Sequence, residues 1–209
     1  MFVTSTISDS HVRILPENLG KARVEAVTDQ LEITYVDKVF PELGFIISIY
    51  EILSIEGGTI YPSDGGATFS VRFSVVVFRP YVGEVLIGRL EKSNSAGLKV
   101  TLDFFNDVFV PEHALQAPSE FDEQEQLWVW KIDGNEAYME LEEKVRFRVM
   151  AVRFPEEPNS LAQENDTHTD KPEGEEAPLP LGCAGNPFAP MIVEGDINAD
   201  GLGCLSWWS

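Results

Sequence analysis

Residues that could do chemistry are few and scattered in this 209-residue chain. The most suggestive run is DINADG (196–201). It sets Asp196, Asn198, Asp200 and Gly201 at positions one, three, five and six of a calcium loop. Such a loop also needs a bidentate carboxylate at position twelve, and that position holds Trp207. No helical pattern flanks the run, so it reads as a polar turn leading into a last strand, and no metal is expected. SDGG (63–66) could bring backbone amides close to a phosphate, but it lacks the Lys-Ser/Thr pair and the following helix of a nucleotide loop. His11, His113 and His168 have no cysteine at ligand spacing. There is no G-x-S-x-G, no Cys/His pair and no compact carboxylate cluster. No catalytic residue and no cofactor are expected.

Nucleic-acid contact is the remaining chemistry. Phe104, Phe105 and Phe109 lie close to Arg89, Lys92 and Lys99, and aromatics beside cations can stack bases and track a phosphate backbone. Phe104 and Phe105 are adjacent, so on a regular strand one of them points outward. In KVRFRVMAVR (144–153), Arg146 and Arg148 share one face while Val145, Phe147 and Val149 share the other. The competing reading is that the phenylalanines are core and the cations ordinary surface charges. Glu84, Glu91, Asp103 and Asp107 weaken the field near the first group, and Glu140, Glu142 and Glu143 can pair with the second.

The charge balance limits this chemistry. There are 15 basic and 35 acidic side chains, a net charge of −20, whereas a free-standing nucleic-acid binder usually carries a basic footprint. Anionic lipid is disfavoured for the same reason. The charge is uneven: residues 155–209, about a quarter of the chain, hold 11 acidic and one basic side chain, half of the total. At 44% hydrophobic and 11% aromatic the chain as a whole has the material for packed cores. The start lacks a basic stretch followed by an apolar run, so no signal peptide is expected, and Asn165-Asp166-Thr167 then matches a glycosylation site by chance. No stretch approaches the ~18 apolar residues of a membrane helix. A disulfide between Cys183 and Cys204 is not expected, and the expected compartment is reducing.

These residues must be positioned by mostly β structure. VTSTISDSHVRI (3–14) reads as a strand and 19–37 as an amphipathic helix ended by Pro41. Segments 44–58 and 62–80 read as strands, the second with Phe69, Val71, Phe73, Val75 and Val77 on one face. That makes a β-α-β-β unit over 1–79. From 80 onward, short strands at 83–93, 97–102, 107–111, 127–132 and 144–154 suggest a small closed barrel, with 117–126 as a short helix or loop plugging it. Residues 155–198 are Pro- and Glu-rich and read as a disordered acidic insertion. The apolar GLGCLSWWS (201–209) is expected to return as the last strand. Ser160, Thr167 and Thr169 sit in an acidic context suited to phosphorylation.

Taken in order, the opening MFV…VRILP, GGTIYPSDGGATFSVRFSVVVFRPYVGEVLIGRL (57–90), GLKVTLDFFNDVFVP (97–111), LWVW (127–130) and GLGCLSWW (201–208) resemble the larger stalk subunits of multi-subunit RNA polymerases. The likeness is greatest to the form in eukaryotic RNA polymerase III. It covers 1–154 and the last nine residues; PSDG stands where the family more often has PGDG, and nothing carries over to 155–198. The resemblance implies an α+β truncated ribonucleoprotein-like domain followed by an all-β OB-fold barrel. It implies a nuclear, non-catalytic subunit that forms a heterodimer with a smaller stalk partner and docks on the polymerase III core. It also implies a part in initiation at tRNA-type genes, with initiation factors and weakly held nascent RNA as further partners. On this reading Pro62, Asp64, Gly65 and Gly66 form the loop that docks on the core. Val76 and Phe78, opposite the Phe73 face, and Trp128 and Trp130 are candidates for the partner interface. The alternatives are a free single-stranded-RNA-binding OB protein and the equivalent subunit of another polymerase.

An apolar segment after a solvated insertion has a direct test. Deleting 158–190 is expected to leave the melting temperature unchanged, whereas removing 201–209 lowers it; equal melting of full-length and 1–200 chains would contradict this.

Overall fold

Isoleucine recurs at every third position at Ile46, Ile49, Ile52 and Ile55, a spacing that no regular strand buries on one face. The computed structural model, which describes residues 1–41, 43–62, 64–132, 135–155 and 189–208, resolves this. The N-terminal unit, Met1–Pro80, contains β1 (Phe2–Ile14), α1 (Arg23–Tyr35), β2 (Lys38–Phe40), β3 (Gly44–Ile60) and β4 (Ala67–Phe78). The strands form one antiparallel sheet in the order β1-β4-β3-β2. The four isoleucines of β3 face Val77, Val75, Phe73 and Val71 of β4, which alternate with period two. Nine residue steps on β3 therefore match six on β4. Bulges following Ile46, Ile49 and Ile52 absorb the three surplus residues, so all four isoleucines reach the same face.

That face is covered by α1 through Ala26, Val27 and Leu31, which are buried together with Val12, Ile14 and the inward residues of β4. The helix is shorter than the 19–37 expected. Pro16–Asn18 forms a separate 3-10 turn, and the helix ends at Tyr35 because Asp37 adopts a left-handed φ of 59° and the chain enters the sheet as β2. The Lys38 ammonium caps the end by donating to the carbonyls of Ile33 (3.0 Å) and Thr34 (2.7 Å). Tyr35 packs on Phe40 and Phe73 and donates its hydroxyl to Asp9 at 2.7 Å.

The opposite face of β4 carries Ser70, Arg72 and Ser74, with the candidate partner contacts Val76 and Phe78 at its end. Phe78 is fully buried, with its ring 5.9 Å from that of Phe2, and Val76 is half-buried. Phe78 is therefore core within the chain rather than an exposed partner contact.

The second unit, Tyr81–Ser209, contains β5 (Val85–Asn94), β6 (Gly97–Thr101), β7 (Val108–Pro111), β8 (Ser119–Asp122), β9 (Leu127–Ile132), β10 (Asn135–Tyr138), β11 (Lys144–Arg153), β12 (Ile192–Asp196) and β13 (Gly203–Cys204). Five of these close a barrel in the order β12-β7-β6-β5-β11, with β11 pairing back to β12. All pairings are antiparallel except β12–β7, which is parallel. This is an OB-like barrel filled by Leu86, Leu90, Val100, Val108, Val145, Phe147 and Val193. Gly195 lets the closing strand lie against the interior, where a Cβ would sit 2.9 Å from the Phe147 ring.

Three expectations for this unit change. The segment 117–126 is no plug: it contributes β8, which pairs with β9 in a separate three-stranded sheet ordered β10-β9-β8, so LWVW is not a barrel strand. The insertion expected over 155–198 runs too far at its C-terminal end, since β12 closes the barrel within it. The acidic average of the window hid the buried Met191, Val193 and Ile197. The last residues give only the two-residue β13 and a 3-10 turn, Leu205–Trp208. Residues 156–188, with Cys183, His168, Asn165 and the three candidate phosphorylation positions, lie outside the described residues, as does Ser63 of the SDGG turn.

Burial, with the hydrogen bond to and charge of Asp9, pushes the Tyr35 phenol from its ordinary 10.0 up to about 12. The native state therefore holds a proton that the unfolded chain releases first. Stability resting on the neutral phenol is complete below pH 10.0 and is lost as the pH rises towards 12. The denaturation midpoint of the wild-type protein is expected to fall more steeply across that window than that of Tyr35→Phe, measured by urea titration at each pH.

Candidate nucleic-acid interface

Antiparallel pairing brings together two groups of cations that are far apart in sequence. Arg89 of β5 lies opposite Lys144 of β11, Ile87 opposite Arg146, and Val85 opposite Arg148. The intervening Leu86, Gly88, Val145 and Phe147 point into the barrel. The outer face of β5 and β11 is thus a ladder of Arg89, Lys144, Arg146 and Arg148 with the exposed Val85 and Ile87 between them. Lys144, Val85 and Ile87 went unnoticed in the sequence, since only the register reveals them as neighbours. A cavity of about 600 Å³ opens on this face, lined by Ile87, Arg89, Thr101, Asp103, Glu142 and Lys144.

The cations differ in availability. Arg89 is gripped by Asp103 and by Glu142, the latter at 3.2 Å, and the hydrogen bond to Asp103 leads the effects that raise its pKa. Both carboxylates sit on left-handed residues, with φ of 69° at Asp103 and 67° at Glu142, so two tight turns deliver them to the guanidinium. Arg146 donates to the Gly201 carbonyl at 3.0 Å, Arg153 pairs with Glu194 at 2.9 Å, and Lys99 pairs with Glu91 at 2.9 Å. Near Lys99, burial raises the pKa of Asp107, with Lys99 opposing and Glu91 adding. Lys92, Lys144 and Arg148 form no ion pair among the described residues. A phosphate chain reaching this part of the barrel would meet Lys92, Lys144 and Arg148 without displacing an ion pair among the described residues, and would compete with carboxylates for Arg89 and Lys99 and with the Gly201 carbonyl for Arg146.

The aromatics divide as adjacency requires. Phe104 is 42% exposed, whereas Phe105 is 5% and Phe109 4% exposed. Phe105 and Phe109 are core, which leaves Phe104 of the three to stack a base. Trp128 and Trp130 are also buried. Trp128 donates to the Asn94 carbonyl at 2.8 Å and packs on Phe121; the Trp130 ring lies 4.8 Å from that of Trp207. Both indoles are occupied inside the chain and present no anchor to a partner, because Phe121 of β8, the end of β5 at Asn94 and the C-terminal turn cover them. Gly203 makes that packing possible, since a Cβ there would lie 2.5 Å from the Trp207 ring. In the DINADG run, Asp196 accepts the Asn198 amide at 2.7 Å, the bond of an Asx turn. Burial and then Glu143 push the pKa of the Cys204 thiol well up.

The second group of candidates lies in the loop joining β3 to β4. Asp64 accepts both Nε (2.9 Å) and Nη2 of Arg13 at the end of β1. Gly65 takes a left-handed φ of 70°, while Gly66 is buried, with no room for a side chain beside the Ile14 carbonyl. Tyr61 and Pro62 are exposed. The sequence marks the glycines as a turn but does not reveal Arg13, whose partner is 51 residues away.

Comparison with known proteins now bears on this arrangement. The family model described as RNA polymerase III subunit Rpc25 matches residues 84–208, the span that holds the barrel and its cationic face. The chain belongs to this family. A second model, an SHS2 domain found in the N terminus of Rpb7p and Rpc25p, matches residues 9–65 and thus most of the N-terminal unit. The DNA-directed RNA polymerase III subunit RPC8 of Bos taurus is 34% identical over 213 residues, covering 100% of this chain and 99% of the relative. The protein of the same name from Saccharomyces cerevisiae is 32% identical, with both chains covered completely. The RNA polymerase II subunit RPB7 of that yeast is 34% identical over only 76 residues, 35% of this chain.

Within this family frame, the split between Phe104 and Phe105 is measurable. Phe105→Ala is expected to cost about 3–5 kcal/mol of stability, as truncations of buried aromatics do. Phe104→Ala is expected to leave the melting temperature nearly unchanged while reducing crosslinking to single-stranded RNA. Loss of crosslinking in neither variant would remove this face as an RNA surface.

Proposed function

We propose that this protein is a non-catalytic stalk subunit of nuclear RNA polymerase III. It forms a heterodimer with the smaller stalk partner, docks on the core through its N-terminal unit, and supports initiation at tRNA-type genes. The observation that carries this reading is the full-length, collinear similarity to RNA polymerase III subunits, against a partial match to the polymerase II subunit. The loop of Pro62, Asp64, Gly65 and Gly66 is the docking element, and half-buried Val76 is a partner contact.

The barrel acts as a weak RNA surface. Lys92, Lys144 and Arg148 supply phosphate contacts and Phe104 a stacking platform. Arg89, Lys99 and Arg146 contribute only where a phosphate displaces their present partners. A chain with net charge −20 attracts free RNA poorly. Held beside the transcript by its protein partners, the same face works at a raised effective concentration, so weak intrinsic affinity is sufficient.

Purification of the tagged protein from nuclei, followed by mass spectrometry, is expected to recover the large polymerase III subunits and one small stalk partner. Absence of every large polymerase subunit would overturn the assignment. Tight, steeply salt-dependent RNA binding by the isolated protein would favour a free RNA-binding role instead.

A further inference from the structure

Arg13 and Asp64 form an ion pair with a geometry that global stability does not explain. The guanidinium donates through Nε and Nη2 to the two carboxylate oxygens, a fork that fixes direction as well as distance. Both side chains are partly exposed, and pairs of that kind add little to the stability of a fold and weaken with salt. What the pair does fix is local. Asp64 is anchored a second time by its amide, which donates to the Tyr61 carbonyl at 3.2 Å. Gly66 lies beneath the guanidinium: a Cβ there would sit 2.9 Å from the Ile14 oxygen and 3.3 Å from Arg13 Nε. Gly65 in turn approaches the ring of Pro16, just beyond β1. The ends of β1 and β3 flank the start of β4 at this point, since Ile14 and Ile60 pair with Ala67 from its two sides. The exposed apolar residues of that end are Leu15, Leu19, Ile60 and Tyr61, with Tyr61 56% exposed.

An exposed loop of this composition would otherwise sample many conformations, and ordering it on binding would subtract from affinity. We propose that Arg13 is a positioning residue for docking on the polymerase core: its two-point grip on Asp64 fixes this side of the β3–β4 connection in the arrangement that presents Tyr61 and Pro62. The proposal rests on the docking role assigned to this loop above. Gly66 belongs to the same device, because any side chain there displaces the guanidinium.

The test uses the full chain assembled with its smaller partner and a polymerase III core stripped of its stalk. Arg13→Ala is expected to weaken core association roughly tenfold, the scale of ordering one or two side chains on binding. The melting temperature and heterodimer assembly should stay as in the wild type, while amide hydrogen exchange should rise within 61–66. Arg13→Lys should recover little, because an ammonium cannot reproduce the fork. If Arg13→Ala binds the core normally while replacement of 61–66 by a Gly-Ser linker abolishes binding, the loop docks without the grip and the proposal is wrong. If the linker replacement also binds normally, the docking role itself is wrong and the proposal falls with it.

Discussion

An unpaired strand edge leaves a row of backbone donors and acceptors without partners, and both units of this chain are shaped by how that constraint is met. In the second unit the solution is closure. β12 pairs antiparallel with β11 and parallel with β7, so the barrel has no open side. Only then do Phe147, Val145 and Val193 face one interior. The outer ladder of Arg89, Lys144, Arg146 and Arg148 is a consequence of the same register, because a slip of one residue on β11 would turn Lys144, Arg146 and Arg148 inward. In the N-terminal unit the solution is distortion. Bulges let β3 follow β4 while keeping Ile46, Ile49, Ile52 and Ile55 on the face covered by α1, at the cost of an irregular strand.

The electrostatics of the barrel follow from placement rather than composition. The chain is strongly acidic, yet its β5–β11 face gathers four cations. Two turns then return Asp103 and Glu142 to the one with the most neighbours. On the proposed reading, such a surface would hold RNA weakly and recruit it poorly, a balance that suits a subunit carried to its ligand by other proteins.

Burial also separates residues that look equivalent in sequence. Phe104 and Phe105 are neighbours of the same type, but one is surface and the other core. Trp128 and Trp130 resemble interface anchors, but β8, Asn94 and Trp207 already occupy them. Arg13 looks like an ordinary strand-end cation until the β3–β4 loop places Asp64 against it.

The family, the strand-rich second unit and the helix-covered β4 face are legible in the sequence, because these rest on local patterns: period-two alternation, turn residues and the order of segments. The sequence also showed that one of Phe104 and Phe105 must face outward. It misplaced the closing strand, since the acidity of a long window outweighed six residues of buried β12 and its flank, and the tertiary structure moved that strand to Ile192–Asp196. It could not decide which way the period-three isoleucines turn, because a bulge is defined only by the partner strand. Nor could it find the Arg13–Asp64 grip, the Arg89 cluster or the burial of the tryptophans. Each joins residues distant in the chain, and only strand register and packing decide which of them meet.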